Sequence, residues 1–227
     1  MAPTLRYRRP ADLPQQIPVF PLRGVILLPR ATLPLNVFEP RYLAMMEDVI
    51  AGARVLGMIQ PERCGSDEES PVGKTVPLRR VGCAGRVTAF QELPDNHVMV
   101  TLTGIVRFEV CDEPATAKPY RICSVSYERF SEDFKGGTGE ELVDRTHLLR
   151  VLKSYLHAHN LRTDWKAIVN APCELLVNSL SILCPYGPEE KQALLEAADL
   201  KARAEVLTAL AEMELASSES GSGGALN

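Results

Sequence analysis

The sequence predicts an α+β fold, with a β-rich segment first and a helical segment after it, and three observations carry that prediction. Apolar and polar residues alternate through HVMVTLTGIVRFEV, apolar residues recur at helical spacing beyond residue 140, and the polar, glycine-rich SEDFKGGTGEE separates the two patterns. The boundaries read as a flexible N-terminal segment at residues 1–16, a β-rich subdomain at 17–130, a linker at 131–139, an α-helical subdomain at 140–216 and a disordered Gly/Ser-rich tail at 217–227.

Proline recurs through IPVFPLRGVILLPRATLPL, so the first strands must be short, interrupted or at an edge, because proline has no N–H for a sheet ladder. A helix follows from Pro40, whose fixed φ suits a first turn, to near Gly52. It carries two apolar stripes, Leu43/Met46/Ile50 and Tyr42/Met45/Val49, and is either deeply buried or keeps part of its surface for a partner. VLGMI reads as a strand covered on both faces. Val81, Cys83, Val87 and Ala89 mark the next strand, and LPDN turns it into the strand that buries Val98, Val100, Leu102, Val106, Phe108 and Val110. Gly104 lies on the buried parity of that strand, where a missing side chain suggests a bulge or sharp bend.

In the helical half, Leu142, Leu149, Leu152 and Leu156 are read as one face of a first helix. Asp164 and Trp165 open a short helix, PCELLVNSLSILC forms another that ends before Pro185, and Pro188 begins the next. Asp199 caps a last helix that buries Leu200, Leu207 and Leu210, which completes a small antiparallel bundle. Asn178, a polar residue within LLVNSLSIL, is expected to hydrogen-bond a neighbouring turn.

Composition narrows the function classes. The chain is 45% hydrophobic and 24% charged with a formal net charge of -4, so it lacks the broad basic field that phosphate backbones require. The basic cluster Arg6, Arg8 and Arg9, interrupted by Tyr7, reads as a solvated tail. No run approaches the ~20 apolar residues of a membrane span, and no apolar stretch follows the N-terminal arginines, so a cytoplasmic protein without a membrane partner is expected. Cys64, Cys83, Cys111, Cys123, Cys173 and Cys184 form no C-x-x-C pair, which points to neither zinc nor a redox motif.

Gly73-Lys74-Thr75 matches the end of a phosphate-binding loop, but Glu68 stands where the first glycine is needed, within an acidic SDEES loop, and a strand rather than a helix follows. His97, His147, His157 and His159 lack an H-E-x-x-H spacing, and Glu140/Glu141 and Glu189/Glu190 sit at helix starts, where carboxylates complement the dipole. No catalytic residue, cofactor or metal site is therefore assigned. A cryptic hydrolase, or an NTPase using Lys74, stands as the alternative.

The segment IPVFPLRGVILLPRATLPLNVFEPRYLAMMEDVI, then VLGMIQP, PVGKTVPLRRVGCAGRVTAFQELPDN and TGIVRFEV, resembles in order and spacing the N-terminal, substrate-binding domain of the Lon protease family. The resemblance runs over residues 17–213, and the C-terminal helices are similar to those of small stand-alone bacterial Lon-domain proteins. It implies a PUA-like, partly closed β-barrel with one embedded helix followed by a helical subdomain. The implied function is non-catalytic recognition of unfolded or client proteins, in association with a protease or chaperone, and no segment resembles the family's peptidase nucleophile motif. RNA binding is a second alternative, because PUA-like folds elsewhere bind RNA. Edge-strand addition or a hydrophobic groove near the embedded helix would hold the client, with Phe38, Tyr42, Met45 and Phe90 as the candidate peptide-binding residues. Pro21, Leu22, Arg23, Pro34, Phe38, Arg41, Gly104, Arg107 and Phe108 match recurring family patterns and are read as structural, with Arg41 and Arg107 expected to pair with internal acids such as Glu39 or Asp48.

Overall fold

A computed structural model describes residues 7–62, 76–158 and 164–222. The strands are β1 (Gln16–Pro21), β2 (Thr32–Val37), β3 (Val55–Pro61), β4 (Leu78–Leu93), β5 (His97–Asp112) and β6 (Arg121–Ser126). The helices are α1 (Pro40–Ala51), between β2 and β3, and α2 (Arg145–Ala158), α3 (Trp165–Asn170), α4 (Cys173–Leu183), α5 (Pro188–Glu196) and α6 (Leu200–Ser222), all after β6.

The six strands form one mixed sheet in the order β2-β5-β4-β3-β1-β6, and β5 pairs again with β6, so the sheet curls into a partly closed ring with β2 outside it. β1 and β3 run parallel, with Val19 opposite Gly57. A parallel pair needs a crossover, and β2 with α1 supplies it. β4 and β5 make the long hairpin that carries the curvature. Gly85 lies opposite Gly104 while Ala84 lies opposite Val106, which leaves Ile105 as the extra residue of a bulge. Gly104 is required there by close approach, since a Cβ would stand 2.0 Å from the Leu28 carbonyl oxygen. Its backbone instead clamps the crossing segment, accepting from Arg30 N at 2.9 Å and donating to Ala31 O at 2.9 Å. Phe108 fills the ring interior against Gly57 and Gly82, where an added Cβ would meet its ring at 2.8 and 2.5 Å.

One continuous core runs through both halves of the chain, joining Ile17, Met58 and Phe108 to Leu148, Val177, Leu194 and Leu207. Between ring and helices lies a buried polar seam. Gln60 Nε2 donates to Gln192 Oε1 at 3.0 Å, Gln192 Nε2 donates to the Val81 carbonyl at 3.1 Å, and Asn178 Nδ2 donates to Pro29 O at 3.0 Å. Arg203 donates to Asn178 Oδ1 and to the Leu194 carbonyl, both at 2.9 Å, and burial lowers its pKa to about 10. At the rim of the seam Arg30 pairs with Glu174.

Several boundaries differ from the sequence expectation. Tyr7 and Leu13 of the supposed flexible start are buried in the core, and Tyr127 Oη fixes the chain there by donating to Pro14 O at 2.8 Å. The supposed linker overlaps a 3-10 segment, Glu128–Phe134, that buries Phe130 and sets Asp133 against Arg107. α6 continues to Ser222 rather than stopping at 216. In the first helix of the bundle Leu152 is buried as expected, together with Leu148, Val151 and Tyr155, while Leu149 and Leu156 of the expected stripe are partly buried against the core and Leu142 falls in a separate 3-10 turn where it is exposed. Asp144 sets this register by accepting from His147 N at 2.9 Å.

Candidate functional site

α1 begins on Pro40 and ends at Gly52, whose N–H returns to the Asp48 carbonyl at 3.0 Å. Of its two apolar stripes, Tyr42, Met45 and Val49 face the ring and Met46 is buried beside them, whereas Leu43 and Ile50 are covered only in part. Opposite stands the tip of the β4–β5 hairpin. Its turn at residues 94–96 requires left-handed backbone at Asp95 (φ 61) and Asn96 (φ 57), two residue types that tolerate that region. Between helix and hairpin lies an open groove of about 560 Å³ whose apolar floor and walls include Leu43, Ile50, Phe90, Leu93 and Val98. His97 also lines it, and Phe38, 56% exposed, stacks on the His97 ring with centroids 5.3 Å apart.

Phe90, 43% exposed, thus lines the groove, whereas Phe38 is not among its lining residues and reaches it only through its stack on His97. Tyr42 and Met45 do not belong to that surface, being 6% and 0% exposed. They lie on the stripe turned toward the ring, where Tyr42 stacks on Phe20 with centroids 4.2 Å apart and burial raises its phenol pKa. Leu43, Ile50 and Leu93, together with the acids Glu47 and Glu92, are groove residues absent from the sequence-derived set. The Leu43/Met46/Ile50 stripe was visible as a period, but its orientation depends on how the ring closes.

The family-pattern residues take other positions. Arg107 is buried, its guanidinium bidentate on Asp133 at 2.8 Å to each oxygen and also donating to the Leu195 and Ala197 carbonyls at 3.2 and 2.5 Å. Its partner is therefore Asp133 rather than Glu39 or Asp48. Arg41 pairs with Glu39 at 2.7 Å and lies over the Tyr42 ring. Asp48 accepts from Lys118 and Tyr120, and these hydrogen bonds hold its carboxyl pKa below the usual range. Pro21 ends β1, Leu22 N donates to Ile59 O at 3.0 Å, Arg23 is exposed in the following turn, and Pro34 lies in the edge strand β2.

Other chemistry finds less support among the described residues. Gly73, Lys74, Thr75, Glu68, Cys64 and His159 lie outside them. No three His, Cys, Asp or Glu side chains converge as a metal site among the described residues. Burial raises the thiol pKa of Cys83 and Cys123, the latter to about 11, so neither is a ready nucleophile at neutral pH. A second open depression, about 720 Å³ beside β6, has a more polar lining that includes Gln15, Gln16, Ser124 and Ser126. No helix among the described residues is long and apolar enough to cross a membrane.

A ring closed through β5 and β6, with one helix threaded into the crossover and a helical bundle behind, is the fold of Lon N-terminal domains. Two solved structures share it. The Lon N-terminal domain protein from Xanthomonas campestris superposes with a TM-score of 0.58 at 22% identity, over 86% of this chain and 97% of that one. The N-terminal domain of Mycobacterium avium complex Lon protease does so with a TM-score of 0.59 at 14% identity, over 87% and 98%. In sequence, the family model described as the ATP-dependent protease La (LON) substrate-binding domain matches residues 16–212, and the chain belongs to that family. Its relatives include Lon protease of Flavobacterium johnsoniae, 27% identical over 85% of this chain and 23% of that protein, and Lon protease 2 of Sorangium cellulosum, 28% identical over 91% and 26%. The chain thus spans about a quarter of the length of these proteases.

Proposed function

We propose that this chain is a non-catalytic binding module that engages unfolded or exposed apolar segments of client proteins in cytoplasmic quality control and presents them to a protease or chaperone. One observation carries the reading: Phe90 projects, 43% exposed, into an open apolar groove floored by the half-covered Leu43 and Ile50. A large apolar side chain of a client entering the groove is removed from water against these residues, worth roughly 1.5–3 kcal/mol per side chain. The family's description as a substrate-binding domain supports the same reading.

Fluorescence anisotropy with a reduced, alkylated and therefore permanently unfolded protein tests it. Phe90→Ser combined with Leu43→Ser is expected to weaken binding by at least about tenfold, the cost of losing one such contact. Both side chains already meet solvent, so the variant should keep the wild-type circular dichroism spectrum. Undiminished affinity in a folded double variant would remove the groove from the function.

A further inference from the structure

The groove has a charge as well as a shape. Glu47 on α1 and Glu92 on β4 stand on its two opposing walls, both exposed, and among the described residues no lysine or arginine lines it. Among the described residues neither carboxylate has an ion-pair or side-chain hydrogen-bond partner. Of the other acids nearby, Glu39 is paired with Arg41 and Asp48 with Lys118, whereas Asp95 in the hairpin turn is exposed and, among the described residues, also without an ion pair. Two exposed negative charges flanking an apolar trough favour an occupant that brings positive charge to either side of its apolar residues.

Building on the proposed client binding, we infer that the preferred occupant is a cationic apolar segment, with apolar side chains in the trough and lysine or arginine on both flanks, reaching Glu47 and Glu92. Acidic-flanked segments of equal hydrophobicity are disfavoured at the same two positions. The groove thereby selects by charge among exposed apolar stretches. Salt weakens this selection because both carboxylates are in contact with water.

The test uses three fluorescent peptides with one apolar core, Leu-Val-Phe-Leu, flanked by lysines, by serines or by glutamates. Titrated at low salt against the whole protein, the lysine peptide is expected to bind about fivefold tighter than the serine peptide and the glutamate peptide weaker than both, as for two exposed charge pairs. The order should compress as sodium chloride is raised. Glu47→Lys with Glu92→Lys should invert the order, and Glu47→Gln with Glu92→Gln should flatten it. Equal affinities that are indifferent to both charge variants, but lost in Phe90→Ser, overturn the charge selection and leave the groove as the binding site. Peptides whose binding ignores Phe90→Ser overturn the site itself, and the charge selection with it.

Discussion

Arg107 shows how a single side chain joins distant parts of this chain. It leaves β5, forks onto Asp133 of the 3-10 segment, caps the carbonyls of Leu195 and Ala197 at the end of α5, and lies over the Phe130 ring at 4.3 Å. Removing one partner of such a pair leaves the other charge buried and unpaired, a loss that exceeds the net worth of the pair. Arg107→Met is therefore expected to destabilise the protein by about 3–5 kcal/mol in urea denaturation, and Arg107→Met with Asp133→Asn by less than the sum of the two single changes. Additive effects of under about 1 kcal/mol each would show the pair to be ornamental. The sequence leads to an internal acid as the partner of Arg107 but does not single out Asp133, which lies 26 residues away in a stretch whose glycines read as a linker. The same limit separated the four candidate groove residues. All four are large and apolar, and only the closure of the ring turns Phe38 and Phe90 outward and Tyr42 and Met45 inward.

At the scale of elements, local chemistry was legible and orientation was not. Asp164 is read as opening a helix and Asp199 as a cap, and each accepts from the N–H three residues on, Ala167 at 3.1 Å and Ala202 at 2.8 Å. Such contacts close within one turn, so the chain alone encodes them. α1 carries two apolar stripes, and its period fixes their angular separation without saying which meets the ring. For β5 the alternation and the odd glycine were both visible, and the structure supplies the reason: the segment at residues 25–31 crosses the strand at Gly104 with no room for a side chain. Gly104→Ala would place its methyl 2.0 Å from the Leu28 carbonyl oxygen, backbone against backbone. Neither partner can swing aside as a flexible side chain would, so the strand and the crossing segment must separate. The expected cost is about 3 kcal/mol or more, read as a lower urea midpoint with the denaturant slope unchanged. A variant as stable as the parent would mean that the crossing segment yields freely and does not define the bend.

Across the whole molecule, the β-then-α order was legible because alternation gives way to helical spacing near residue 140, whereas closure of the sheet rests on pairings between residues far apart in the chain, such as Val110 with Val125 and Ile17 with Cys123. The division into two subdomains marks a change of secondary structure rather than a gap in the core, which is continuous from Ile17 to Leu207. Four buried side chains cross the seam between ring and helices, Gln60, Gln192, Asn178 and Arg107, each satisfied in part by an atom from the other side, while Arg203 braces Asn178 from within the bundle. Opening the seam would expose apolar surface and at the same time leave those groups unpaired within each half, so separation costs nearly as much as unfolding. Ring and bundle should therefore unfold together. In native-state hydrogen exchange with rising urea, the slowest amides of β3 and β4 and those of α4 and α6 are expected to converge on one opening free energy, and Arg107→Met should lower both by the same amount. Helices that open at distinctly lower urea while β3 and β4 stay protected would show that the bundle is a separable appendage and that the seam is an ordinary docking contact.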